Sequence, residues 1–157
     1  MHDNAAGWCA KKKKIPALID YANKELANFD FNSSYYEVDF IRRGDAKDLY
    51  QIISDIGGHD DIWGQGIKEA LINVTDLYIN KNQIQIIGSR KDTLKFIYNG
   101  ITYIKFFAKD LIEQLNNIEG SLCFNIVGKM NMNYYNGSVT PQVMIENYEV
   151  IDSRLMF

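Results

Sequence analysis

Thr93-Leu94-Lys95-Phe96-Ile97-Tyr98-Asn99-Gly100-Ile101-Thr102-Tyr103-Ile104-Lys105-Phe106-Phe107 decides the fold. Two runs rich in β-branched and aromatic residues flank Asn99-Gly100. Asn-Gly between such runs is the strongest short-range hairpin signal, because both positions tolerate positive φ. The same chemistry continues upstream, with short strands expected over Ala70–Thr75, Leu77–Ile79 and Gln83–Gly88 and a tight turn at Lys81-Asn82. Downstream, a helix is expected over Lys109–Asn117, with Phe107, Leu111, Leu115 and Ile118 in line. Two long strands follow, Leu122–Tyr134 and Gln142–Ile151, joined by Tyr135-Asn136-Gly137-Ser138.

The first third of the chain reads differently. Ile15, Leu18, Ile19, Ala22, Leu26 and Phe29 recur at spacings of three and four, on one face of a helix. Pro16 falls in its first turn, where a missing N–H costs nothing. Asn32-Ser33-Ser34 breaks that pattern. A strand over Tyr35–Ile41, a turn at Arg42-Arg43-Gly44 and a short helix capped by Asp45 are expected next. Residues 57–66 carry four glycines and read as a loop.

Short strands with one helix among them predict an α+β, mainly β fold. The leading form is a small closed or nearly closed barrel of the five-stranded oligonucleotide-binding (OB) type with short helices. A small sandwich is the alternative. The expected division is a helical segment at residues 1–32 and the OB-like domain at 33–157, with the boundary at Asn32-Ser33-Ser34.

Composition narrows the function. The chain has 157 residues, 46% apolar and 24% charged, ordinary for a globular protein that builds a core without disulfides or metal. Cys9 and Cys123 form no CxxC pair and read as reduced thiols of a cytoplasmic protein. No apolar run is long enough for a membrane span, and the start lacks a signal peptide's basic and apolar regions. Net charge is −3, so contact with nucleic acid must come from local cations and aromatic faces.

Catalytic chemistry is poorly supplied. There is no GxSxG, P-loop or HExxH motif, and only two histidines. His59-Asp60-Asp61 is the one run of adjacent metal-ligand types, and adjacent residues on extended chain point apart. A polar loop is the expected reading, and a metal enzyme built on these three residues is the contrasting hypothesis.

A nucleic-acid surface is better supplied, because rings stack on bases and nearby cations meet phosphates. Three groupings qualify: Arg90, Lys91 and Lys95 around Phe96 and Tyr98; Tyr103, Lys105 and Phe107, which share a parity; and Lys129 with Tyr134 and Tyr135. Alternating aromatics in a barrel also build cores. Lys11 to Lys14 and Arg42-Arg43 are solvated runs with a secondary phosphate-contacting reading.

Two stretches resemble a family. His2-Asp3-Asn4-Ala5-Ala6-Gly7 is similar to the Gly-Gly-His-x-x-Ala-Ala-Gly motif of the DHH-associated domain of RecJ-type exonucleases, with Met1 where the second glycine would stand. Asn133-Tyr134-Tyr135-Asn136-Gly137, then Thr140 to Glu149, resembles the closing hairpin of the RecJ OB domain. That hairpin commonly has tryptophan where Tyr135 stands and aspartate where Asn147 stands, so this looks like a divergent member, of phage or bacterial origin. The Gly64-Gln65-Gly66 loop and the Gly88, Leu94-Lys95-Phe96 pattern resemble intervening parts of the family.

The resemblance implies the C-terminal portion of a 5′→3′ single-stranded-DNA exonuclease of DNA repair and recombination, with residues 1–32 the helical C-terminal remnant of its α/β DHH-associated domain. It implies that manganese or magnesium belongs to a DHH domain whose motifs are absent here, so this chain holds no cofactor and no catalytic residue. His2 would correspond to the histidine that grips a phosphate near the cut. The DNA-contacting set is then His2, Arg90, Lys91, Lys95, Tyr103, Lys105, Lys129 and Tyr135. The partner is single-stranded DNA, with single-strand-binding protein as a second partner, and the chain is expected to be a monomer.

Overall fold

The computed structural model describes residues 11–27, 36–59, 61–64 and 66–152. The chain divides into two units, Met1–Tyr35 and Tyr36–Phe157. In the first, a turn of 3-10 helix at Lys12–Lys14 leads into helix α1, Ile15–Glu25, with proline in the first turn. Ile15, Leu18, Ile19 and Leu26 are exposed on it.

The second unit is one seven-stranded sheet with two helices. Its elements are β1 (Phe40–Arg43), α2 (Leu49–Gly57), β2 (Leu71–Asn80), β3 (Gln85–Ile87), β4 (Thr93–Tyr98), β5 (Ile101–Lys105), α3 (Lys109–Asn116), β6 (Ser121–Tyr135) and β7 (Ser138–Asp152). The strand order is β1-β2-β6-β7-β5-β4-β3. The mainly β architecture with short helices is as expected, and the barrel expected as closed or nearly closed takes the form of a sheet that does not close. Its outermost strands, β1 and β3, are four and three residues long and each pairs on one side only.

The open sheet still curls. The Phe96 ring on β4 stacks 4.9 Å from Tyr103 on β5 and 5.6 Å from Phe124 on β6. Strands β4 and β6 are three steps apart in the sheet, about 14 Å if it were flat. Leu49 and Ile53 of α2 and Leu111 and Leu115 of α3 are buried in the hollow. Helix α2 lies so close to β6 that a Cβ on Gly57 would come within 2.7 Å of the Asn131 backbone.

Asn99-Gly100 turns with φ of 49° and 78°, and Asn136-Gly137 with 48° and 76°, the left-handed pair that a two-residue hairpin requires. Strand β4 occupies the predicted Thr93–Tyr98. Other expectations shift. Ala70–Thr75 and Leu77–Ile79 belong to one strand, β2, bent by a bulge at Asp76, where φ is 54°. The Asp76 N–H donates across to Asn125 Oδ1 at 3.1 Å, which holds the bulge. Arg42 and Arg43 lie in β1 rather than in a turn. Asp45 does not cap α2: its carboxylate accepts from Arg43 Nε at 3.1 Å, and the helix begins after Asp48.

Candidate nucleic-acid interface

Alternation along β6 sorts its last residues onto two faces. Met130 points into the core. Lys129, Asn131, Asn133 and Tyr135 share the other face, opposite Met144, Gln142, Thr140 and Ser138 of β7. Register carries this outer face across the sheet. One row runs Leu71, Lys129, Met144, Ile104, Lys95, Gln85 over β2, β6, β7, β5, β4 and β3. The next runs Asn131, Gln142, Thr102, Ile97.

Amides fix the centre of the second row. Gln142 Nε2 donates to Asn131 Oδ1 at 3.1 Å, and Asn131 Nδ2 reaches Met144 Sδ at 3.0 Å. Ile97 presents an apolar spot, 54% exposed. Lys95 stands beside it, with no ion pair among the described residues. Lys105 and Lys129 converge on Glu146: Lys105 Nζ donates to its backbone carbonyl at 2.9 Å, and Lys129 Nζ lies 3.7 Å from its carboxylate. Lys129 also bonds Glu69 Oε2 at 2.6 Å. The hydrogen bond to Glu69 lifts the Lys129 ammonium above the usual lysine range, against the opposing effect of partial burial. Lys129 thus meets two carboxylates, while Lys95 and Lys105 make no ion pair among the described residues.

Beyond Asn131 and Gln142 no third strand among the described residues pairs with the β6–β7 hairpin. Its tip projects Tyr134 and Tyr135, each 69% exposed. Tyr135 lies on the outer-face parity, six residues from Lys129, so a track of about 20 Å runs from cation to ring.

Arg90 and Lys91 form a separate corner in the β3–β4 loop. Arg90 Nε pairs with Asp92 at 3.2 Å, and its guanidinium sits 5.8 Å from the Phe107 ring centre. Phe107 does not share the strand face of Tyr103 and Lys105. Strand β5 ends at Lys105, and Phe107 adopts φ of 53° with 77% of its surface exposed. Arg90, Asp92, Phe107, Lys109 and Asp110 line an open pocket of about 350 Å³.

Tyr103 is the correction among the expected contacts. It is fully buried, stacked on Phe96, and its hydroxyl has no partner among the described residues. Desolvation drives its phenol well above the ordinary tyrosine value. A ring inside the hollow offers no face to a base. His2 and Asp60 lie outside the described residues. Among the described residues, no three His, Cys, Asp or Glu side chains gather to hold a metal. The sequence reading missed Asn131, Gln142 and Ile97, although the alternation from Lys129 to Tyr135 contains the first of them.

Residues 50–147 match the family described as the RecJ OB domain. This chain belongs to the RecJ OB domain family. The chain is also similar to YorK of Bacillus subtilis (strain 168), proposed by its name to be an SPbeta prophage-derived single-strand DNA-specific exonuclease, and to yorK of Bacillus phage SPbeta. Each is 33% identical over 156 residues, 98% of this chain and 27% of the relative. The chain thus spans about a quarter of these relatives' length. The fold resembles RecJ of Thermus thermophilus, solved in complex with Mn2+, at a TM-score of 0.58 and 14% identity. That match covers 92% of this chain and 20% of the other. No helix among the described residues is long and apolar enough to cross a membrane.

Proposed function

We propose that this chain is the portion of a RecJ-like 5′→3′ exonuclease that holds single-stranded DNA and guides it to a catalytic portion lying outside this chain. The observation that carries the reading is the outer-face row with Lys95 at one end and Lys129 at the other, leading to Tyr135 at the hairpin tip. Cations along a sheet meet phosphates, and an exposed ring accepts a base without regard to sequence. Arg90 and Lys91, beside the exposed Phe107, extend the cationic surface past the end of β5. In this reading manganese or magnesium serves the catalytic portion, and the chain by itself binds weakly, does not cut, and works as a cytoplasmic monomer. Titration of a fluorescently labelled single strand at two salt concentrations tests it. Binding should be measurable at low salt and weaken steeply as salt rises, because phosphate contacts release counterions. Absence of binding at low salt would remove the proposal.

A second reading is recruitment of single-strand-binding protein. Edge strand β3 favours it: Ile86 and Ile87 are exposed, one side of the strand is unpaired, and Arg90 and Lys91 follow directly. An extended acidic peptide can add to such an edge. Binding of an acidic tail peptide in the absence of DNA binding would select this reading.

A further inference from the structure

The loop before β2 builds a feature that the strand face does not use. Gly64 and Ile67 exchange backbone hydrogen bonds, N–H to carbonyl, at 3.0 and 3.2 Å. Gly66 holds φ of 96°, and a Cβ there would meet nothing within 4 Å, so backbone conformation rather than crowding calls for glycine. Trp63, Gly64, Ile67 and Lys68 of this loop, together with Glu69, Leu71 and Lys129, line a pocket of about 520 Å³. Leu71 and Lys129 are register partners, and both belong to the outer-face row. The pocket therefore opens where that row begins.

We propose that this pocket takes one nucleobase of the bound strand, stacked on Trp63. The inference rests on the strand-holding reading above and deepens it. An indole wall with two aliphatic side chains suits a flat heteroaromatic ring. Lys68 and Lys129 in the lining suit the phosphate attached to it. Glu69 holds Lys129 in that lining through the 2.6 Å bond. The volume is ample for a base and lies within the range of about 300–1,000 Å³ typical of small-ligand pockets.

The chain has two tryptophans, so Trp8→Phe leaves Trp63 as the sole indole reporter. The full chain carrying that change is titrated with oligothymidylate and, separately, with an abasic oligonucleotide of equal length, while a labelled strand reports total binding. Trp63 emission should quench saturably with oligothymidylate, at the same midpoint as strand binding, and not with the abasic strand. Trp63→Ala should weaken binding at least about fivefold, the lower end of what one base–ring stack contributes. Trp63→Phe should restore most of it, and the thermal transitions of both variants show that the fold survives. Unchanged emission, with full affinity in Trp63→Ala, overturns the pocket assignment and leaves the strand face standing. Quenching by an acidic peptide ending in phenylalanine, with none by oligothymidylate, also overturns it, in favour of a protein partner. Loss of all strand binding at low salt, even in the unaltered chain, overturns both readings.

Discussion

Tyr103 and Tyr135 each share a strand and a parity with one lysine, Lys105 and Lys129, and they end in opposite places. Tyr103 lies where the curl of β4, β5 and β6 brings three aromatic rings together. Tyr135 lies past the last residues that a third strand reaches. Residue type is the same, so the curl decides. One face of the sheet closes around α2 and α3, and the other carries Lys95, Lys129, Asn131 and Gln142, each part-exposed, with Ile104 and Thr102 buried between them. The comparison teaches that parity names two faces without saying which of them is wet.

Breaking the inner face should have the largest effect. Phe96→Ala removes a ring packed against both Tyr103 and Phe124 and should cost about 3–5 kcal/mol of stability. Urea denaturation of the variant and the unaltered chain measures this.

On the outer face the effect should move from folding to binding. Tyr135→Ala should cost about 1–3 kcal/mol of single-strand affinity, the contribution of one stacked base. Its urea midpoint should stay nearly unchanged, because the ring is exposed and packs on no core. A strand titration beside a urea curve separates the two quantities.

Tyr103→Phe sharpens the contrast with the smallest change. Removing a buried hydroxyl that has no partner should raise stability by about 1 kcal/mol and leave DNA affinity as it was. The sign with pH follows from the raised phenol. Its folded-state value lies above the unfolded value of about 10, so its contribution is whole below that pH and is lost as pH rises further. Stability curves at neutral and strongly alkaline pH should therefore fall less steeply for Tyr103→Phe than for the unaltered chain.

Much of the fold was legible because it is local. The limits of β4 and both Asn-Gly turns follow from β-branched runs and from residues that tolerate positive φ. Features set by distant partners were not legible. The bulge at Asp76 depends on an amide of Asn125 on the neighbouring strand. Closure of the barrel would need the outermost strands β1 and β3, distant in sequence, to pair with each other, and they stand at opposite ends of the sheet. Within the candidate site, Lys129 was visible as a cation, but its partner Glu69 lies far off in the chain and meets it only because Leu71 stands beside Lys129 in register. Trp63 gave no periodic signal at all, since an irregular loop positions it.

The most direct test of the strand-holding face is the salt dependence of single-strand binding in the Lys95→Ala variant. Lys95 stands on that face and makes no ion pair with a carboxylate among the described residues. The slope of log affinity against log salt should shrink by about 0.7, the share of one lost phosphate contact. A slope identical to that of the unaltered chain would contradict the account.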